Sequence, residues 1–440
     1  MSAVGESVEV DGGGLRPSVP WFEQRRNVLS AFVGLHAIFL VALGPTILTG
    51  SVLGDLPLYR TWAIDALNYG QWPGISESWV YPVGALAPIL AAAIAGPLFF
   101  QLIWFVIITA LNGWSVLVLI RGESSAGYRA AWWWMLFLLL MSPVALLRLE
   151  GLTAPLVVVG LIWLARRPLI AGVLLALAAW IKVWPAAVVL AATIGHRRRW
   201  PMLAAAAGVT AGIVATVAAL GGLRFVAGFV TTQAQRGLQL EAPVTTPWLW
   251  MADLGAPNTY VWQNNLLSTE EVSGPGDSVA VTVMGFAMPI ALALILVLML
   301  WVHRTVGAHP GLALLGSLAL VTALVAFNKV GSPQYILWIG PVVAVGVMAD
   351  PPGWRVPSRL LLAIAGLTTL IFPILYMPLV GGDMAAATVL TVRNALLLVL
   401  LGWAIAGLIA LRKSQRGSSA TSADSSRASD ARVGFAGSDT

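Results

Sequence analysis

The chain contains no cysteine, which excludes disulfides and thiolate metal sites and leaves the redox compartment unread. It is also poor in charge. Only 10% of its 440 residues are Asp, Glu, Lys or Arg, against about a quarter in a soluble domain. Several chemical signatures are missing. There is no Gly-rich phosphate loop closed by Lys-Ser/Thr, which argues against ATP hydrolysis. There is no His-Glu-x-x-His, and His36, His196, His303 and His309 are dispersed, so a zinc centre is not expected. No Gly-x-Ser-x-Gly nucleophile elbow occurs.

What is present is apolar: 58% of residues are hydrophobic and the mean hydropathy is +0.85. One water-facing globule cannot hide that much apolar surface, so lipid is the solvent for most of the chain. Backbone groups in lipid must be satisfied internally, which leaves helices or a closed barrel. The runs are continuous and rich in Leu, Ala, Val and Ile, without the alternation of barrel strands. An all-α polytopic membrane protein with about 11–13 spanning segments is expected. The net charge of +6 sits mainly at helix ends and gives no reason to expect nucleic acid as a partner.

Residues 1–26 read as a disordered cytoplasmic tail and 413–440 as a second one. Between them, 27–412 form the membrane domain. Arg25-Arg26 precedes the first apolar run and should keep the N-terminus inside, and His196-Arg197-Arg198-Arg199 and Arg412-Lys413 are placed on the same side. Both termini are thus expected in the cytoplasm. Residues 51–81 make a first outer loop, in which Leu56, Tyr59, Trp62 and Ala63 share one helical face, as in a short interfacial helix. Residues 222–278 make a long polar outer loop. Two stretches leave the parity of spans open. One is Pro82 to Ile120, with a break at Gly96-Pro97; the other is Leu169 to Ile194, with a break at Pro185.

Ionisable residues at membrane depth are costly, so each invites a functional reading. Asp55 follows the first span. Arg148, Lys182, Arg236 and Lys329 fall toward the same side in this topology, and Arg393 interrupts the last span. One carboxylate facing several cations suits a phosphate held by Arg and Lys, with a base for an acceptor hydroxyl. Plainer readings stand beside this one. Asp55 can be a solvated loop residue or a helix cap. Lys182 can snorkel to the interface. Arg236 and Glu241 can form a surface pair.

Four segments, in order, resemble glycosyltransferase family 87 of the C-type membrane superfamily. They are Asp55-x-x-x-Tyr59, Tyr81-Pro82, Arg148 with the later Trp180-Ile181-Lys182-Val183-Trp184-Pro185, and Lys329 with Ser332-Pro333-Gln334-Tyr335. Arg236-Gly237-Leu238-Gln239-x-Glu241 is similar as well. The best-known members are polyprenol-phosphate-mannose-dependent mannosyltransferases of actinobacterial envelopes. The resemblance implies a C-type fold and an inverting transfer of a hexose, mannose foremost. The donor would be a polyprenyl-phosphate sugar and the acceptor a hydroxyl of a glycolipid or glycan, at the extracytoplasmic face of the plasma membrane. It implies Asp55 as general base and Arg148, Lys182 and Lys329 as donor-phosphate contacts. Tyr59, Tyr81, Arg236, Glu241 and Gln334 would contact substrate. No cofactor is implied, and no Asp-x-Asp pair stands near Asp55 to hold a divalent metal. The family's second proline after the tyrosine is Val83 here. The competing class is a transporter or flippase of lipid-linked sugars.

Overall fold

The computed structural model describes residues 20–234, 236–264 and 269–435, with side chains except at 232–234 and 415–435. Of the expected tails 1–26 and 413–440, residues 1–19 and 436–440 lie outside the described residues; 20–26 hold a short 3-10 turn and the start of the first helix, and 413–435 continue the last helix.

The chain is almost wholly helical. Its first elements are α1 (Arg25–Thr49), α2 (Leu56–Tyr69), α3 (Leu86–Ala93), α4 (Phe100–Leu119), α5 (Ser125–Leu140) and α6 (Glu150–Trp163). Next come α7 (Pro168–Ile181), α8 (Pro185–Gly195), α9 (Arg199–Ala219), α10 (Gly228–Ala234) and α11 (Thr246–Asp253). A hairpin of β1 (Tyr260–Asn264) and β2 (Thr269–Ser273) follows. The remainder is α12 (Asp277–Val306), α13 (Pro310–Ala326), α14 (Gly340–Ala349), α15 (Arg355–Thr369), α16 (Tyr376–Val380) and α17 (Met384–Phe435). Among the described residues, six helical stretches are long and apolar enough to cross a membrane alone, and six further apolar ones are shorter.

Both ambiguous stretches resolve at their prolines. The eight residues of α3 rise about 12 Å, too short for a hydrocarbon core of about 30 Å. The chain turns back before Pro97, and Leu98 returns against Gly50 at the end of α1. Residues 83–93 therefore enter and leave by one face. The second stretch divides into α7 and α8. Lys182 between them is extended (φ −151°, ψ 132°), and Pro185 opens α8, where its missing N–H has no helical partner to lose.

The remaining long elements run alternately up and down. The ends that gather at one face are tied by specific contacts: Gln101 accepts from the Leu53 amide, Arg148 pairs with Asp55, Lys182 with Glu150, and Arg393 with Glu241. At the opposite face Trp132 donates to the Phe22 carbonyl and Arg412 to Thr305. The segments at both ends of the helical body thus share the face that Asp55 does not. The largest buried cluster joins α5, α6, α8, α13, α14 and α17, and a second packs α2 and α3 on α4. Among the described residues the hairpin is the one sheet in an otherwise helical chain, and it lies within the long 222–278 loop.

Candidate active site

Asp55 stands at the N-cap position of α2, yet its side chain makes no capping hydrogen bond. Its carboxylate instead forms an ion pair with Arg148. The backbone permits this because Gly54 lies in the left-handed region (φ 64°), and a Cβ there would sit 2.9 Å from Leu147. A larger residue would hold the Asp55 turn away from the Arg148 loop. One helical turn on, the Tyr59 hydroxyl donates to Asp55 Oδ2 at 3.3 Å. The Asp55 side chain is thus engaged by Arg148 and Tyr59 and makes no bond that caps α2.

The pair opens onto a cavity of about 470 Å³. Tyr81, Arg236, Glu241 and Gln334 line it with Asp55 and Arg148. These are six of the nine residues picked from sequence, drawn from five separate segments. Aromatic surface comes from Trp62 and Tyr81 on one side and Phe372 and Tyr376 on another. The hairpin covers part of the cavity through Gln263 and Glu270, which face each other across the strands and so share one face.

The other three of the nine stand off the cavity wall. Tyr59 does not line the cavity. It is fully buried beneath Asp55, packed on Trp62, Trp104 and Tyr81. Lys182 lies behind the wall. Its Nζ is 3.0 Å from the carboxylate of Glu150, itself 1% exposed, and 4.2 Å from the centre of the Tyr81 ring. A cation so engaged is already neutralised and is screened from the cavity by that ring. Lys329 is also off the wall, and its backbone carbonyl accepts from the Gln239 amide. Arg236 and Glu241 are not partners either: Glu241 pairs with Arg393 at 2.8 Å. Burial pushes the Glu241 carboxyl up to about 7, with Arg393 and Arg148 opposing.

Cavity residues that the sequence reading did not pick out include Gln263 and Tyr376. Gln263 carried a partial signal, since Tyr260, Val261 and Trp262 before it are strand formers. Tyr376 had none, because it sits at an irregular stretch where Phe372 leaves helical geometry. Among the described residues no group of three or more His, Asp or Glu is placed to hold a metal ion.

The family model for glycosyltransferase family 87 matches residues 79–326, more than half of the chain. The chain belongs to glycosyltransferase family 87. Family membership decides between the two functional classes: this is a membrane-embedded glycosyltransferase rather than a flippase. No curated protein matches the family 87 chain. Among solved structures, it is similar to ArnT from Cupriavidus metallidurans in its apo crystal form, at 13% identity and a TM-score of 0.44. That alignment covers 87% of this chain and 78% of the other. The matched segment of family 87 holds Tyr81, Arg148, Lys182, Arg236 and Glu241, and begins after Asp55.

Proposed function

We propose that the protein transfers mannose from a polyprenyl-phosphate donor to a hydroxyl of a glycolipid or glycan acceptor, with inversion, at the extracytoplasmic membrane face. The observation that carries this reading is the Asp55 carboxylate at the cavity wall, held by Arg148 and Tyr59 in a chain of this family.

In the proposed reaction the acceptor oxygen attacks the anomeric carbon. The bond from that carbon to the phosphate oxygen breaks, and polyprenyl phosphate leaves with the electron pair. Asp55 takes the acceptor's proton as the new glycosidic bond forms. One displacement inverts the centre and needs one carboxylate, whereas retention by double displacement would need a nucleophile as well. Arg148 and Arg236, the two cations on the wall among the described residues, are the seat for the phosphate and stabilise its growing charge. Lys182 and Lys329 stand off the wall and have no part in this step.

A lipid donor also needs room for its chain. An apolar groove of about 790 Å³ lies between α3 and α9, lined by Val83, Gly84, Leu90 and Ile213 among others. It adjoins the cavity through the short segment that begins with Val80 and Tyr81. An isoprenoid chain laid there places its phosphate toward Asp55. The basic residues gathered at the opposite face, Arg197, Arg198, Arg199, Arg412 and Lys413, support a cytoplasmic position for that face and for both termini.

The test is transfer of labelled sugar by the purified protein. Polyprenyl-phosphate-mannose should serve as donor, compared with the glucose and arabinose analogues. Asp55→Asn should slow transfer by about 10²–10⁴ while leaving the protein folded. If Asp55→Asn transfers mannose as fast as the parent, Asp55 is not the base.

A further inference from the structure

Arg393 is a buried cation that neither the membrane nor the reaction above accounts for. It lies within the first turns of α17 and is 1% exposed. A guanidinium is costly there unless paired and hydrogen-bonded. Its partner comes from the long outer loop. Nη2 donates to Glu241 Oε2 at 2.8 Å and, at longer range, to the Glu241 carbonyl at 3.4 Å. The neighbouring Asn394 reinforces the joint by donating to Thr246 Oγ1 at 3.1 Å.

The Glu241 segment is gripped from a second side. The Gln239 amide donates to the Lys329 carbonyl. Gly331 packs so closely that a Cβ there would stand 2.1 Å from the Ala242 nitrogen. Glu241 is therefore fixed between α17 and the 329–334 loop, and it borders the same cavity as Asp55. One carboxylate oxygen is committed to Arg393. The other keeps its acceptor capacity, and a carboxylate with one oxygen anchored is a directional acceptor for ligand hydroxyls.

We infer that Glu241 accepts hydroxyl groups of a sugar bound in the cavity, and that Arg393 is a positioning residue that acts through Glu241 to hold that carboxylate at the wall. The inference rests on the sugar-transfer reading and adds the part of the site that reads sugar hydroxyls. The sugar is either the hexose on the donor or the glycan of the acceptor, and kinetics separates them.

A pH signature accompanies the geometry. The charged and titratable groups around Glu241 are Arg393 from α17, Arg148 from the α5–α6 loop, Glu270 from β2 and Tyr376 from α16. Burial outweighs the two cations and sets the carboxyl at about 7. The ionised form is the stronger acceptor, so sugar binding should strengthen as pH rises through that value and weaken below it.

The experiment is steady-state transfer by the full-length protein in lipid nanodiscs, with polyprenyl-phosphate-mannose and a glycolipid acceptor varied separately at pH values on either side of 7. Glu241→Gln should raise KM for one of the two substrates about ten-fold, the loss of one charge-assisted hydrogen bond. It should change kcat by less than about two-fold and flatten the pH dependence of that KM. Arg393→Met should raise the same KM, and the double variant should be no worse than the worse single, as for residues acting as one unit. Arg393→Lys should recover part of the loss. A shifted donor KM assigns Glu241 to the transferred hexose, and a shifted acceptor KM to the acceptor glycan.

Unchanged KM for both substrates in Glu241→Gln overturns the inference, as does additivity in the double variant. If Arg393→Met does not fold, Arg393→Lys and Glu241→Gln decide by the same two measurements. A parent protein that transfers no sugar sinks the proposed function and this inference together. An active parent with unmoved variants sinks this inference alone.

Discussion

Arg148 and Asp55 form an ion pair at the wall of the cavity, joining the loop after α1 to the loop before α6. The pair gives the carboxylate a fixed direction and keeps a guanidinium within reach of whatever the carboxylate serves.

Removal of either member should be unequal in effect. Asp55→Asn deletes the proposed proton acceptor, and a positioned base contributes about 10²–10⁴ in rate, so transfer should fall by that order. Arg148→Lys keeps the charge but not the planar fork that suits carboxylate and phosphate together. It should retain more activity than Arg148→Met. Single-turnover transfer rates check both, and equal rates for the Lys and Met variants would remove Arg148 from the phosphate seat.

Tyr59 supports Asp55 from below. Tyr59→Phe removes the 3.3 Å hydrogen bond and keeps the buried ring. A bond of this kind is worth about 0.5–1.5 kcal/mol, so transfer should drop by several-fold with little change in substrate KM. Loss of substrate binding instead would mean that Tyr59 contacts the sugar after all.

Lys182 and Glu150 should behave as a buried pair. Breaking such a pair from one side costs about 3–5 kcal/mol, whereas replacing both members with apolar residues costs far less. Lys182→Met and Glu150→Gln should each lower thermal stability in detergent, and Lys182→Met/Glu150→Met should recover much of it. If Lys182→Met unfolds no more easily than the parent but raises donor KM, Lys182 is a phosphate contact and its place behind Tyr81 is not its working position.

The topology is directly accessible because the chain has no cysteine. Single Ser51→Cys and Ser332→Cys variants should react with an impermeant maleimide added outside intact cells, and Ser414→Cys should not. Protection at both 51 and 332 would invert the proposed orientation.

Much of the fold was legible in the sequence. Lipid offers no partner for backbone groups, so long apolar runs must be helices, and Pro97 and Pro185 marked breaks that the structure contains. The loop hairpin was only half legible: β1 opens on Tyr260-Val261-Trp262, but β2 carries Glu270 and Glu271 and is held by its bridge to Gln239 and the cavity wall beside it.

The site divides along the same physical line. Sequence alone determined which ionisable residues stand out against an apolar background, since an unexplained charge in lipid is costly wherever it sits. It named Asp55, Arg148, Lys182, Arg236, Lys329 and Arg393. Only the tertiary structure decided their pairing: Asp55 with Arg148, Glu150 with Lys182, Glu241 with Arg393. Cost of burial is a property of one residue and its local run, and the sequence displays it. Relief of that cost depends on a partner brought close by helix packing, and helix packing is fixed by the whole bundle.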